Sequence, residues 1–232
     1  MSGIQHRLAD IEHHMLHFLE NHDEQRIASP EFAGKPEKAK PAMVVSATIS
    51  TSPTLIYFGQ EVGEPGAEDA GFGKHSRTSI FDYAGVPHHQ RWINGGKFDG
   101  GQLSASEQSL RDFYKRLLNF TIKSPALTGA YADIQDWNRK NVKGYFEKLY
   151  SYVRWNKEQQ LIVLCNFSAD NSYTGELQIP AEIINAWKLK DGKHTLREEL
   201  YGRSNLQMQL TNGIGIIKVT LAPLESFILT VH

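Results

Sequence analysis

Apolar residues in the first part of the chain fall in short runs, each ending at a polar cluster. Met15, Leu16, Phe18 and Leu19 form one such run, a predicted strand long enough to be buried on both faces, and it gives way to Asn21, His22 and Asp23. Ahead of it, Ile4, Leu8 and Ile11 recur at near-helical spacing and predict a short helix over 3–13. The proline-rich stretch 27–41 reads as a surface loop entering a helix over 42–51, with Pro41 in the first turn and Ser52-Pro53 closing it. A second apolar run, 54–58, follows. A helix between two strands is a βαβ unit, which makes parallel sheet, so Tyr57-Phe58-Gly59-Gln60-Glu61 is expected on the same rim as Asn21-His22-Asp23. In barrel and open α/β folds chemistry sits at that rim.

Residues 62–102 have little periodicity and are rich in glycine, acids, aromatics and histidines, as in a functional loop. Arg77, Phe81, Asp82, Tyr83, His88, His89, Arg91 and Trp92 suit the wall of a polar ligand site, although a loop packed by its own aromatics has the same composition. Gly71-Phe72-Gly73-Lys74 lacks the preceding strand and following helix that a phosphate cradle needs. The spacing over 103–123 predicts a helix, with Ser104 and Glu107 as a capping box and Leu110, Phe113, Tyr114, Leu117 and Leu118 along one face. Residues 126–143 read as an irregular connector. From Gly144 onward the pattern is β: a hairpin over 145–155 and 161–167, a strand over 173–179, a hairpin around Asn212-Gly213 and a last strand over 227–231. The expected division is therefore 1–143, an α/β unit, and 144–232, a small antiparallel β-sandwich.

Composition narrows the function classes. In 232 residues the net charge is −1, so no overall field favours nucleic acid or an anionic membrane. No apolar run reaches the ~18 residues of a membrane span, and the N-terminus is too polar for a signal peptide, so a soluble chain is expected. Cys165, the one cysteine, excludes an intrachain disulfide and reads as a small buried hydrophobe. His13, His14 and His17 invite a metal reading, but the change from helix to strand falls among them and no fixed carboxylate or cysteine completes a ligand set.

Phe18-Leu19-Glu20-Asn21-His22-Asp23 and Pro53-Thr54-Leu55-Ile56-Tyr57-Phe58-Gly59-Gln60-Glu61, followed by the long loop and the β region, resemble the α-amylase family of glycoside hydrolases over nearly the whole chain. The resemblance implies the last two strands of a (β/α)8 TIM barrel followed by a C-terminal sandwich domain. It implies an α-1,4-glucan as substrate, cleaved with retention, with Asp23 as the carboxylate that stabilises the oxocarbenium-like transition state by bonding sugar hydroxyls. His22 would donate to the same hydroxyls, Asn21 would fix the strand end or orient Asp23, and Arg26 would pair with a nearby carboxylate. Arg26, Tyr83 and Trp92 are the further expected substrate contacts, the last two because 79–92 resembles the substrate-side loop of bacterial members.

Retaining hydrolysis also needs a nucleophilic and an acid/base carboxylate about 5 to 5.5 Å apart. In the family the nucleophile lies in a Gly-x-Arg-x-Asp pattern on an earlier strand, and that pattern does not occur here. The resemblance therefore implies the C-terminal part of an amylase, inactive alone, with no cofactor or metal of its own and with any calcium requirement carried by other segments. The alternative is a non-catalytic glucan-binding or interaction module. Either way, two barrel strands without neighbours leave open edges, so self-association, docking onto a complementary N-terminal barrel half, or local disorder in 1–60 is expected.

Overall fold

Alternating apolar positions from residue 130 onward fold into a single sheet rather than two separate ones. A computed structural model describes residues 7–8, 10–67, 77–80 and 85–232. In it, helices α1 (Lys40–Thr48), α2 (Pro87–Ile93) and α3 (Ala105–Lys123) precede β1 (Ala130–Asp133), α4 (Gln135–Asn141), β2 (Leu149–Trp155), β3 (Gln160–Asn166), β4 (Tyr173–Ile179), α5 (Ala181–Trp187), β5 (Gly192–Glu198), β6 (Leu206–Thr211), β7 (Ile214–Leu221) and β8 (Ser226–Val231). The strands pair antiparallel in the order β1-β2-β3-β8-β5-β6-β7-β4, and the sheet curls around a core that Ile162, Leu164, Leu177, Leu196, Ile217 and Leu229 help to fill.

The hairpins stand where the sequence puts them. Asn212 and Gly213 both take positive φ, 52° and 76°, the conformation that a tight β6–β7 hairpin needs to match strand twist. Two expectations are corrected, and two elements are added. The supposed connector 126–143 contains β1 and α4, because Tyr131 and Asp133 extend the sheet beside β2. Strand β5 and helix α5 were not foreseen: β5 is largely polar, and α5 spans only seven residues, too few for a periodic signal. The strand expected over 15–19 is reduced to a single parallel bridge, His17 to Thr54. His17 N–H donates to Pro53 O at 2.9 Å and Leu55 N–H to His17 O at 2.8 Å, but among the described residues no strand flanks the other edge, and Leu16 and Phe18 are 48% and 44% exposed.

α1 and α3 cover the outer face of β2, β3 and β8. Leu161, Val163 and Cys165 point toward these helices while Ile162 and Leu164 point into the curl, which is why 161–165 reads as an unbroken apolar run. Cys165 is fully buried, and that burial pushes its thiol up to about 12. The capping box on α3 forms as expected, with Ser104 and Glu107 exchanging hydrogen bonds. Among the described residues no helix is long and apolar enough to cross a membrane.

One cation joins the helices to the sheet. Arg154 on β2 is 1% exposed and donates to Ile49 O at 2.5 Å, just past the end of α1, and to Leu127 O and Gly129 O at 2.6 and 3.1 Å. Burial lowers its pKa, yet carbonyls at a helix end are a favourable partner for positive charge. Arg154→Met would keep the packing but leave these buried carbonyls without their donor. It should reduce the unfolding free energy by about 2–4 kcal/mol in urea denaturation, whereas a loss under ~1 kcal/mol would show that the carbonyls find other partners.

Candidate functional site

The turn after His17 is built from within. Asn21 Oδ1 accepts the N–H groups of Asp23 at 2.8 Å and Glu24 at 3.0 Å, an Asx turn that places His22 and Asp23 at its apex. Their side chains are 53% and 76% exposed, with His22 Nε2 3.4 Å from Asp23 Oδ2. Arg77 donates to the Asp23 carbonyl at 3.2 Å. The apex thus offers solvent a carboxylate with an imidazole beside it, a pair able to bond adjacent hydroxyl groups of a ligand.

Beneath the apex Arg26 has the carboxylate partner expected of it, Glu20. Arg26 is 0% exposed, so its guanidinium is committed inside the protein rather than presented to a ligand. It donates to Glu20 Oε1 at 2.7 Å, to Thr78 Oγ1 at 2.6 and 2.9 Å and to Phe58 O at 2.8 Å, and it lies 4.1 Å from the centroid of the Tyr57 ring. Glu20, 1% exposed, completes the arrangement by accepting Ile27 N–H at 2.7 Å. Burial raises the Glu20 carboxyl above its ordinary range, against the pull of Arg26 and the Ile27 N–H. Glu20 thus has a structural role within the Phe18–Asp23 motif. A carboxylate next to a strand end, six residues before an arginine, was the available signal.

The Gly-Gln-Glu segment is fixed from the other side. Gly59 and Gly63 adopt positive φ, 86° and 74°, and a Cβ on Gly63 would come within 2.8 Å of the Pro36 ring. Gln60 is buried, accepts Tyr57 N–H at 3.2 Å and donates to Tyr114 Oη on α3 at 3.1 Å. Glu64, also buried, accepts the N–H groups of Gly66 and His88 at 2.8 and 2.9 Å. Tyr57 Oη donates toward the carbonyls of Thr78 and Ser79 at 3.2 and 3.3 Å. Through Arg26, Phe58 and Thr78, segments 20–26, 57–64 and 77–79 are locked together.

Trp92 on α2 is half-buried, its ring stacked on His89 at 5.7 Å and Arg111 4.9 Å from its centroid. His89 in turn meets Phe58 edge to face at 5.4 Å, so Trp92 belongs to an aromatic row that continues from the Gly-Gln-Glu segment. Tyr83, Phe81 and Asp82, like 71–74, lie outside the described residues. His13 and His14 are exposed, while His17 donates its Nδ1 proton to Ser46 O at 3.1 Å. Among the described residues no group of three His, Cys, Asp or Glu side chains is placed to hold a metal ion.

α2 is held by an ion cluster that the capping-box reading only half captured. Besides capping α3, Glu107 accepts from Arg91 Nη2 at 2.5 Å and stands 2.8 Å from His88 Nδ1. Burial opposes its ionisation, but Arg91, the Ser104 N–H and hydroxyl, and His88 outweigh that and hold the carboxyl below its ordinary range. A depressed pKa adds stability above the ordinary carboxylate value that is lost as pH falls through the folded value. Glu107→Gln should therefore melt below the wild-type chain at pH 7, with the gap closing as pH falls through the carboxylate range. A gap unchanged down to pH ~3 would contradict this.

No family model and no curated protein sequence matches the chain. Solved structures do. AmyP in complex with maltose is 24% identical, matching 93% of this chain and 40% of its own with a TM-score of 0.59. An α-amylase from Anoxybacillus is 15% identical over 99% of this chain and 41% of its own, TM-score 0.59. A debranching enzyme from Nostoc punctiforme is 20% identical over 98% and 37%, TM-score 0.57. AmyP has also been crystallised with maltotriose. The chain thus spans about 40% of the length of the structures it matches, and over nearly all of its own length it has the fold of part of an α-amylase family enzyme.

Proposed function

We propose that this chain is the C-terminal part of an α-amylase-type retaining glycoside hydrolase acting on α-1,4-glucans, and that it contributes one wall of the active site. On this reading the stub at His17, α1 and the stub at Thr54 are the last βα units of a TIM barrel, and the curled sheet corresponds to the family's C-terminal sandwich domain. Asp23 bonds two ring hydroxyls of the sugar undergoing cleavage, more tightly as the ring flattens toward the oxocarbenium-like state, and so lowers the barrier to both displacement steps. His22 donates to the same hydroxyls. Trp92 provides an aromatic surface for the neighbouring sugars. The nucleophile and the acid/base carboxylate come from barrel segments outside this chain.

The observation that carries the reading is the exposed Asp23–His22 pair at the apex of a turn locked, through buried Arg26, to the segment that ends in Gly59-Gln60-Glu61. The exposed Leu16 and Phe18 on an open strand edge favour docking of the remaining barrel over a self-sufficient module. The isolated chain should release no reducing ends from maltoheptaose above buffer. Joined to an N-terminal barrel segment that carries the two missing carboxylates, it should turn over, and Asp23→Ala should cut that turnover by about 10²–10³-fold, as loss of a transition-state contact does. Hydrolysis by the isolated chain, abolished in Asp23→Ala, would overturn the reading by requiring a complete carboxylate set within this chain.

A further inference from the structure

Away from the Asp23 turn, a cleft of about 380 Å³ opens between α4 and the start of β2, a volume at the lower end of that expected for small-molecule sites. Leu149, Tyr150 and the side chain of Gln135 form its floor, and the half-buried ring of Phe167 forms one wall. Gln135 is fully engaged: its Nε2 donates to Leu149 O at 2.6 Å, and its Oε1 accepts from Tyr145 Oη and Ser151 N–H at 2.5 and 3.1 Å. The floor is therefore rigid. Behind it the hydroxyl oxygens of Tyr150 and Tyr131 are 2.9 Å apart, each 3.4 Å from Asp133 Oδ2. Arg139, Lys148, Asp136 and Glu147 also line the cleft, two charges of each sign, and Arg139 donates to Glu147 O at 3.1 Å, so the cleft presents donors and acceptors with no net charge.

This combination selects a ligand class. A half-exposed ring beside charges of both signs suits a neutral molecule with one apolar face and several hydroxyls, because the ring covers C–H groups while carboxylates and cations take the hydroxyls. The larger grooves lack that combination. The one between β4, β7 and the 202–206 loop has Phe227 as its only ring, 4% exposed, and its Arg203 is paired with Glu225; the one beside the end of α3 has Lys123 and Glu158 among its Ser, Thr, Pro and aliphatic lining but no aromatic ring.

We propose that the Phe167–Arg139 cleft is a second contact for the α-glucan chain, separate from the Asp23 turn and able to hold substrate without acting on it. This rests on the glucan reading of the turn. The site stacks one sugar face on Phe167 and hydrogen-bonds its hydroxyls to Asp136 and Arg139.

The test is titration of the ¹⁵N-labelled chain with maltoheptaose at millimolar concentration. Expected are saturable amide shifts at Asp136, Arg139, Lys148 and Phe167, weakened about tenfold in Phe167→Ala and in the surface variant Asp136→Asn, and unchanged in Asp23→Ala. Asp136 is exposed, so its substitution should leave the fold intact and keep the test meaningful if Phe167→Ala unfolds. No saturable shift at these four residues overturns the proposal. So does a shift that Asp136→Asn leaves untouched, or one that Asp23→Ala removes; the last outcome would leave the turn as the glucan contact and the reading above standing.

Discussion

The buried pair of Glu20 and Arg26 is the interaction on which the candidate site depends. Taking two charges out of water costs several kcal/mol per ion, and mutual attraction offsets this only when the remaining donors and acceptors are also matched. Here they are: Glu20 takes one bond from Arg26 and one from Ile27 N–H, and the other guanidinium donors go to Thr78 and Phe58. Because Glu20 precedes the Asn21–Asp23 turn and Arg26 follows it, the pair closes that turn like a clasp. His22 and Asp23 are left exposed at its apex, and the segments reaching Gly59 and Thr78 are drawn in against it.

A second constraint attaches this unit to the rest of the chain. Strands β2, β3 and β8 are covered on both faces, by the curl of their own sheet and by α1 and α3. Tyr152 Oη meets Thr48 Oγ1 at 2.5 Å, and Arg154 reaches Ile49, so the end of α1 is fixed to β2 by polar contacts within an apolar interface. The contrast with the first strand stub is instructive. His17 is held through its backbone to Pro53 and Leu55 and through its ring to Ser46, while Leu16 and Phe18 beside it stay exposed. Full coverage of the sheet contrasts with a single bridge whose flanking apolar side chains are open to solvent.

Much of this was legible in the sequence where the signal is local. The Ser104/Glu107 box, the Asn212-Gly213 hairpin and the unbroken 161–165 run each follow from short-range chemistry, and each stands in the fold. The candidate turn was legible as a motif, because Asn21, His22 and Asp23 are adjacent. What could not be read was what lies underneath. That Arg26 is buried depends on Thr78, 52 residues away, and that Glu107 serves α2 as well as α3 depends on His88 and Arg91, on a separate helix. The misreading of 15–19 has the same origin: four apolar residues predict burial only if a neighbouring strand exists, and the sequence of one strand does not supply its neighbour.

The central claim, that Glu20 and Arg26 hold the turn as a coupled buried pair, is tested most directly by a double-mutant cycle of Glu20→Gln and Arg26→Met, followed by urea denaturation and by the amide shifts of Asn21 to Glu24. Each single substitution should cost about 3–5 kcal/mol, because it strands the other partner, and the double should cost clearly less than the sum. The turn amides should move in every variant. Single losses within ~1 kcal/mol that simply add, with the turn amides unmoved, would contradict the account.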